Sequence, residues 1–386
     1  AMMDAKPLAT WKNFLKYYVV SNHASLLSPE IDDANFAFYG TALNGQPEQR
    51  DRWKRGVRLV GSHGSLGEAL GKLYVERHFP PESKKMVEAL VGNLKTALRE
   101  RINTLDWMSD ATKKEALAKL DAFRTKIGYP DKWRDFSSIK ISRDDLIGNA
   151  KAVGDYWYQD MVDDLGRPTD RDEWEMTPQT VNAYYHPLFN EIVFPAAILQ
   201  PPLFDPAADP AVNYGAIGAV IGHEMGHGFD DQGSKFDAVG SQRNWWTDED
   251  RTRFDNRTKV LVDQYAAFEA LPGQNVNGEL TLGENIGDLG GLSMAYRAYH
   301  LSLDGKDAPV LDGLTGDQRF FLSWAQIWKG KERESYTLQR IKADPHSPGK
   351  FRVNGVVRNM DAWYKAFDIK PDNKLYLPPD QRVNIW

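Results

Sequence analysis

The chain has 386 residues, a hydrophobic fraction of 41%, an aromatic fraction of 12% and a formal net charge of −6. This composition is globular and not disordered, and without a basic block it argues against nucleic acid as a partner. Cysteine is absent, which excludes disulfides and thiolate metal ligands, and no apolar run reaches the length of a membrane span.

The opening AMMDAKPLATWKNF has no signal-peptide pattern, and its Ala-Met pair ahead of a second Met reads as an added scar. Residues 8–127 read as mostly helical. SLGEALGKLYVERHF (65–79) has helical spacing, and the next run starts with Pro at a helix entrance and continues amphipathically. SDATKKEALAKLDAFRTKIGYP repeats the design, with Ser109 as cap and Gly128-Tyr129-Pro130 as stop. The polar stretch 164–178 marks the joint between a helical segment, 1–165, and a second domain, 166–386. Two β-prone runs flank HPLFN and predict a hairpin or edge strand. Helical pattern returns from Val212 to Asp230, in TLGENIGDLGGLSMAYRAYHLSL and in TGDQRFFLSWAQIWKG, whereas 344–386 reads as loop-rich. The fold class is therefore mainly α with a small β element, with no internal repeat.

The stretch VIGHEMGHGFDDQG carries the chemistry. His223 and His227 are four apart, which on a helix sets both rings on one face about 40° apart. Two neutral imidazoles so spaced can bind one zinc ion, and the pattern is a recurrent metalloprotease signature. Glu224 projects about 100° from His223, suited to acting on a metal-activated water without ligating the metal. A hydrolytic zinc needs a third protein ligand and one open position. GENIGDLGG offers Glu284 as that ligand and Asp288, one turn on, as the carboxylate that holds a ligand histidine by its other ring nitrogen. Asp230, three past His227, has the same option against the other histidine. The bland readings are a solvated acidic helix face and a helix C-terminal acid. His23, His63, His78, His186 and His300 have no partner at ligand spacing and read as structural.

Together, VIGHEMGHGFDDQG and GENIGDLGG resemble the neprilysin and endothelin-converting-enzyme family of zinc endopeptidases. LGKLYVERHFPP, VNAYYHPLFNEIVFPAAILQPPLFD, DPHSPGKFRVNG and the terminal Trp extend the likeness over nearly the whole chain. Lys329 after Trp328, where a Cys is usual, and a terminal tetrapeptide without Cys depart from the vertebrate pattern and look prokaryotic. The resemblance implies a thermolysin-like (gluzincin) catalytic lobe over 166–386, with 1–165 contributing to a second lobe. It implies one Zn2+ per chain, peptide substrates and an exported location. It gives Asn182 and the Ala183 backbone the grip on an extended peptide. His346 becomes the oxyanion stabiliser, Arg352 the binder of a substrate carbonyl, and Val220, Ile198 and Trp328 the lining of a hydrophobic pocket.

The expected reaction is peptide hydrolysis on the amino side of hydrophobic residues, with Glu224 as general base. No Gly-x-Ser-x-Gly motif suggests a covalent intermediate. The alternatives are a catalytically impaired, zinc-stabilised peptide-binding fragment, and a hydrolase of another bond. Because family members are longer, a fragment is expected that pairs with its own N-terminal portion or self-associates, through apolar faces of 65–130.

Overall fold

The computed structural model describes residues 6–386, so the opening AMMDA and the scar read there lie outside the described residues. The chain opens with α1 (Leu8–Asn22), α2 (Pro29–Phe36) and α3 (Arg52–Val60), followed by α4 (Gly67–His78), α5 (Pro81–Thr104) and α6 (Asp110–Asp121). Pro81 sits in the first turn of α5, where a missing N–H costs nothing. Val87, Leu90, Val91, Leu94 and Leu98 recur at helical spacing along its buried stripe. Ser109 caps α6 by accepting the Thr112 backbone N–H.

The helical run expected to reach residue 127 ends at Asp121. Residues after it form β1 (Arg124–Gly128), and Gly128 closes the strand at φ +84°. Its partner decides the outcome. β1 pairs in parallel with β3 (Glu191–Pro195), bringing Ile127 opposite Phe194. After α7 (Leu146–Asp163), β2 (Tyr184–His186) pairs antiparallel with β3 across the expected hairpin. Strand order β1-β3-β2 leaves β2 at an edge.

Next come α8 (Pro210–Asn213), a π-turn at Tyr214–Gly218 and α9 (Ala219–Gly226). α10 (Asp248–Ala266) and the hairpin β4 (Glu269–Leu271)–β5 (Gln274–Asn275) lead to α11 (Leu282–Ser302). α12 (Gly316–Ile327), behind a Thr315/Gln318 capping box, precedes α13 (Glu334–Ala343). The stretch 344–386, expected to be loop-rich, contains α14 (Gly349–Val357) and α15 (Asp361–Phe367).

The chain divides into two units, Ala1–Gly67 with Arg134–Thr169, and Glu68–Trp133 with Asp170–Trp386. This division differs from a boundary at 165/166. The reason is local: α5 packs on α11 and β1 pairs with β3, so 68–133 is built into the unit that holds α9 and α11. The apolar stripe of α5 is thereby covered and not exposed, contrary to the expectation for 65–130. In the other unit α1 buries no residue and leaves Phe14, Leu15, Tyr17, Tyr18 and Val19 exposed. Among the described residues, no helix is long and apolar enough to cross a membrane.

Candidate metal centre

α9 lies against α11 with almost nothing between the backbones. A Cβ on Gly291 would stand 2.4 Å from the His223 backbone nitrogen, and one on Gly222 2.6 Å from the Gly291 carbonyl oxygen. Gly287 faces the His223 ring in the same way, at 2.8 Å from Nδ1. Three glycines in the two motifs thus permit an approach that any side chain would block. The approach brings the two histidines of α9 to the acids of α11.

His223, His227 and Glu284 each offer a ligand atom, and these atoms lie within 4.8 Å of one another. Glu284 Oε2 is 3.2 Å from His223 Nε2, and Glu284 Oε1 is 3.7 Å from His227 Nε2. The opposite ring nitrogens are committed elsewhere. His223 Nδ1 meets Asp288 Oδ1 at 2.9 Å, and His227 Nδ1 meets Asp230 Oδ2 at 2.7 Å. Each carboxylate accepts the Nδ1 proton, which in the neutral ring leaves the Nε2 lone pair free for a cation. Glu284 Oε2 is buried without a hydrogen bond, although His223 Nε2 and His346 Nε2 both lie 3.2 Å away. A buried carboxylate oxygen at ion-pair distance from two nitrogens, yet bonded to neither, fits a cation among them. Two imidazoles and one carboxylate are a donor set suited to zinc.

Burial favours neutral His223, but Asp288 and Glu284 outweigh it and push its pKa up to about 10. Burial and the His223 charge also oppose protonation of His227, and Asp230 and Glu224 overcome them. Glu284 is held well below the ordinary range: burial acts against this, but the three surrounding histidines prevail.

Glu224 is buried one residue after His223 on α9. His346 is half exposed, and Asp344, a residue the sequence did not single out, accepts its Nδ1 at 2.7 Å and its backbone N–H at 2.9 Å. That bond turns Nε2 toward Glu284. Ser347 and Asn285 were missed as well. The Ser347 hydroxyl donates to Asn285 Oδ1 at 2.8 Å, both residues are buried, and each adjoins a site residue. Adjacency to His346 and Glu284 was the only signal available.

Arg352 is buried on α14 and donates two bonds of 2.6 Å to Asp288, while its guanidinium lies 3.8 Å from the centre of the Trp328 ring. Arg352, Asp288 and His223 therefore form one chain ending at the donor set. Exposed Asn182 and buried Ala183 lead into the edge strand β2. Val220 is one turn before His223 on α9, Ile198 is buried after β3, and Trp328 closes α12.

Models of Peptidase family M13 match residues 182–383 and 1–130. Endothelin-converting enzyme 1 of Bos taurus is 37% identical over 97% of this chain and 50% of its own length. Human neprilysin is 36% identical over 97% of this chain and 51% of its own. The chain thus spans about half the length of the curated relatives it matches. Among solved structures, the zinc metalloprotease Zmp1 of Mycobacterium tuberculosis, in complex with inhibitor, superposes with a TM-score of 0.93. It is 54% identical, over 99% of this chain and 58% of that one. PepO from Lactobacillus rhamnosis gives a TM-score of 0.84 at 33% identity, over 95% and 56% of the two chains. The stretches holding His223, His227 and Glu284 fall inside the longer family match, and the chain belongs to Peptidase family M13.

Proposed function

We propose that this chain carries the catalytic site of a zinc metalloendopeptidase, with one zinc held by His223, His227 and Glu284. The observation that carries the reading is the buried, unbonded Glu284 Oε2 facing two ring nitrogens. Zinc bound there would lower the pKa of a water and polarise the scissile carbonyl.

The remaining steps fall to the chain's own groups. Glu224 takes the proton of the attacking water and passes it to the leaving amine. With protons on both ring nitrogens, His346 donates through Nε2 to the developing oxyanion while Asp344 accepts from Nδ1 and sets its orientation. Asp288 and Asp230 hold the ligand rings. Arg352 serves the substrate carbonyl or, through its bidentate bond, Asp288. Asn182 and the Ala183 backbone grip an extended peptide as an added strand beside β2. Val220, Ile198 and Trp328 line a pocket on the leaving-amine side, which predicts cuts before Phe, Leu or Ile. The lobe bearing this site comprises Glu68–Trp133 as well as Asp170–Trp386, with the rest serving a second lobe. Export of the protein is inferred from its relatives.

Mass mapping of a mixed peptide pool tests the reading. Zinc-dependent cuts before Phe, Leu or Ile are expected, and a dominant cut before Lys or Asp would exclude the pocket. Half-length coverage of the relatives keeps a second reading, a zinc-stabilised peptide-binding portion. Zinc and peptide binding with no turnover, even after addition of the part of the relatives that this chain does not cover, would favour it.

A further inference from the structure

Outside the donor set, a buried lysine has no role in the scheme above. Lys119, on α6, is 1% exposed. Its Nζ donates to the carbonyls of Gly233 at 2.8 Å and Phe236 at 2.7 Å. The rings of Tyr185, Phe229 and Trp245 surround it, with centroids 5.7 to 6.0 Å away. Burial pulls its pKa down to about 7, against the opposing charges of Asp230 and Asp237. An amine buried this deeply needs its bonds.

Those bonds lead to the metal centre. Gly233 accepts from Lys119 through its carbonyl, and its N–H donates to Asp230 Oδ1 at 2.7 Å. The Gln232 N–H donates to the same oxygen at 2.8 Å. Asp230 Oδ2 then holds His227 Nδ1 at 2.7 Å. A Cβ on Gly233 would stand 1.7 Å from the His227 carbonyl oxygen, so this turn is folded back tightly on the ligand. Lys119 also meets the sheet: its carbonyl accepts from Asn190 at 2.9 Å, and Asn190 accepts the Tyr185 hydroxyl at 3.0 Å.

We infer that Lys119 is a positioning residue for the metal site: it pins the turn at residues 230–236, which aims Asp230 at His227. The inference rests on the zinc reading above. Asp288 has an arginine behind it and Asp230 a lysine-held turn, so each ligand histidine is braced through a carboxylate by a buried cation or its hydrogen bonds.

Zinc affinity, measured by chelator competition, tests this without recourse to activity. Lys119→Met keeps the length and removes the donors; it should weaken zinc about 10-fold, the lower end for a residue supporting a ligand. Asp230→Ala should weaken it about 10–100-fold. The double variant should bind no worse than Asp230→Ala, because Lys119 acts through Asp230. Should Lys119→Met not fold, Lys119→Gln, which keeps an uncharged N–H donor group, replaces it and should fall between. A merely structural lysine would lower the melting temperature of either variant and leave zinc affinity unchanged, or its effect would multiply with that of Asp230→Ala; either result overturns the inference. A parent that binds no zinc overturns the zinc reading and this inference with it, whereas tight parental binding unaffected by Lys119→Met overturns the inference alone.

Discussion

At the scale of single residues, metal and protons compete for the same atoms. His223 sits between Asp288 and Glu284, which raise its pKa to about 10 in the metal-free site. The two carboxylates favour a proton on that ring, and zinc must compete with it to reach Nε2. Zinc binding is therefore expected to release protons and to tighten as pH rises; calorimetry in buffers of different ionisation enthalpy measures this, and binding without release would contradict the raised His223 pKa. In the proposed mechanism Glu224 serves the proton transfer and Asp288 the metal ligand, so variants of the two should differ. Glu224→Gln should keep zinc and lose peptide hydrolysis by a factor on the order of 10²–10⁴. Asp288→Ala should weaken zinc about 10–100-fold, and it strands buried Arg352 at a stability cost of about 3–5 kcal/mol. A melting temperature equal to the parent's would show that Arg352 has another partner. The histidine pair was legible because helical spacing alone fixes one face. Ser347, Asn285 and Lys119 were not, because their partners arrive by tertiary packing; Asp344 has its partner His346 two residues on, but that bond gains meaning only once His346 Nε2 faces Glu284.

At the scale of elements, the centre depends on how closely α9 and α11 cross. Gly291→Ala would force a Cβ against backbone at 2.4 Å, with no flexible side chain to yield. Overpacking of this kind typically costs about 1–3 kcal/mol. We expect a lower melting temperature together with weakened zinc binding, since His223 and Glu284 sit on the two helices being separated. Unchanged zinc affinity would mean the helices can part without moving the ligands. Most helices were readable from period and caps, as at Ser109 and Pro81. β1 was not: five residues after α6 carry no strand alternation, and their hydrogen bonds come from β3, far along the chain. α14 and α15 were hidden by the prolines and aromatics around them, which read as loop but only delimit short helices.

Across the whole molecule, exposed apolar residues cluster where the sequence did not suggest. The stripe of α5 finds its partner in α11, while Phe14, Leu15, Tyr17, Tyr18 and Val19 of α1 face solvent. A patch of that kind favours association. Light scattering should show self-association that Leu15→Glu with Tyr18→Glu reduces, or formation of a complex with the part of the relatives that this chain does not cover; a concentration-independent monomer would show that α1 needs no cover. The unit boundaries escaped sequence reading because they follow contacts made by α5 and β1, not composition. The three donors of the candidate centre, His223, His227 and Glu284, lie within one unit. Zinc-edge X-ray absorption of the zinc-loaded chain is the most direct test. The account predicts one zinc per chain with two imidazole nitrogens at about 2.0–2.1 Å and one carboxylate, and loss of an imidazole in His227→Ala. A zinc surrounded only by oxygen, or one unaffected by that substitution, would contradict it.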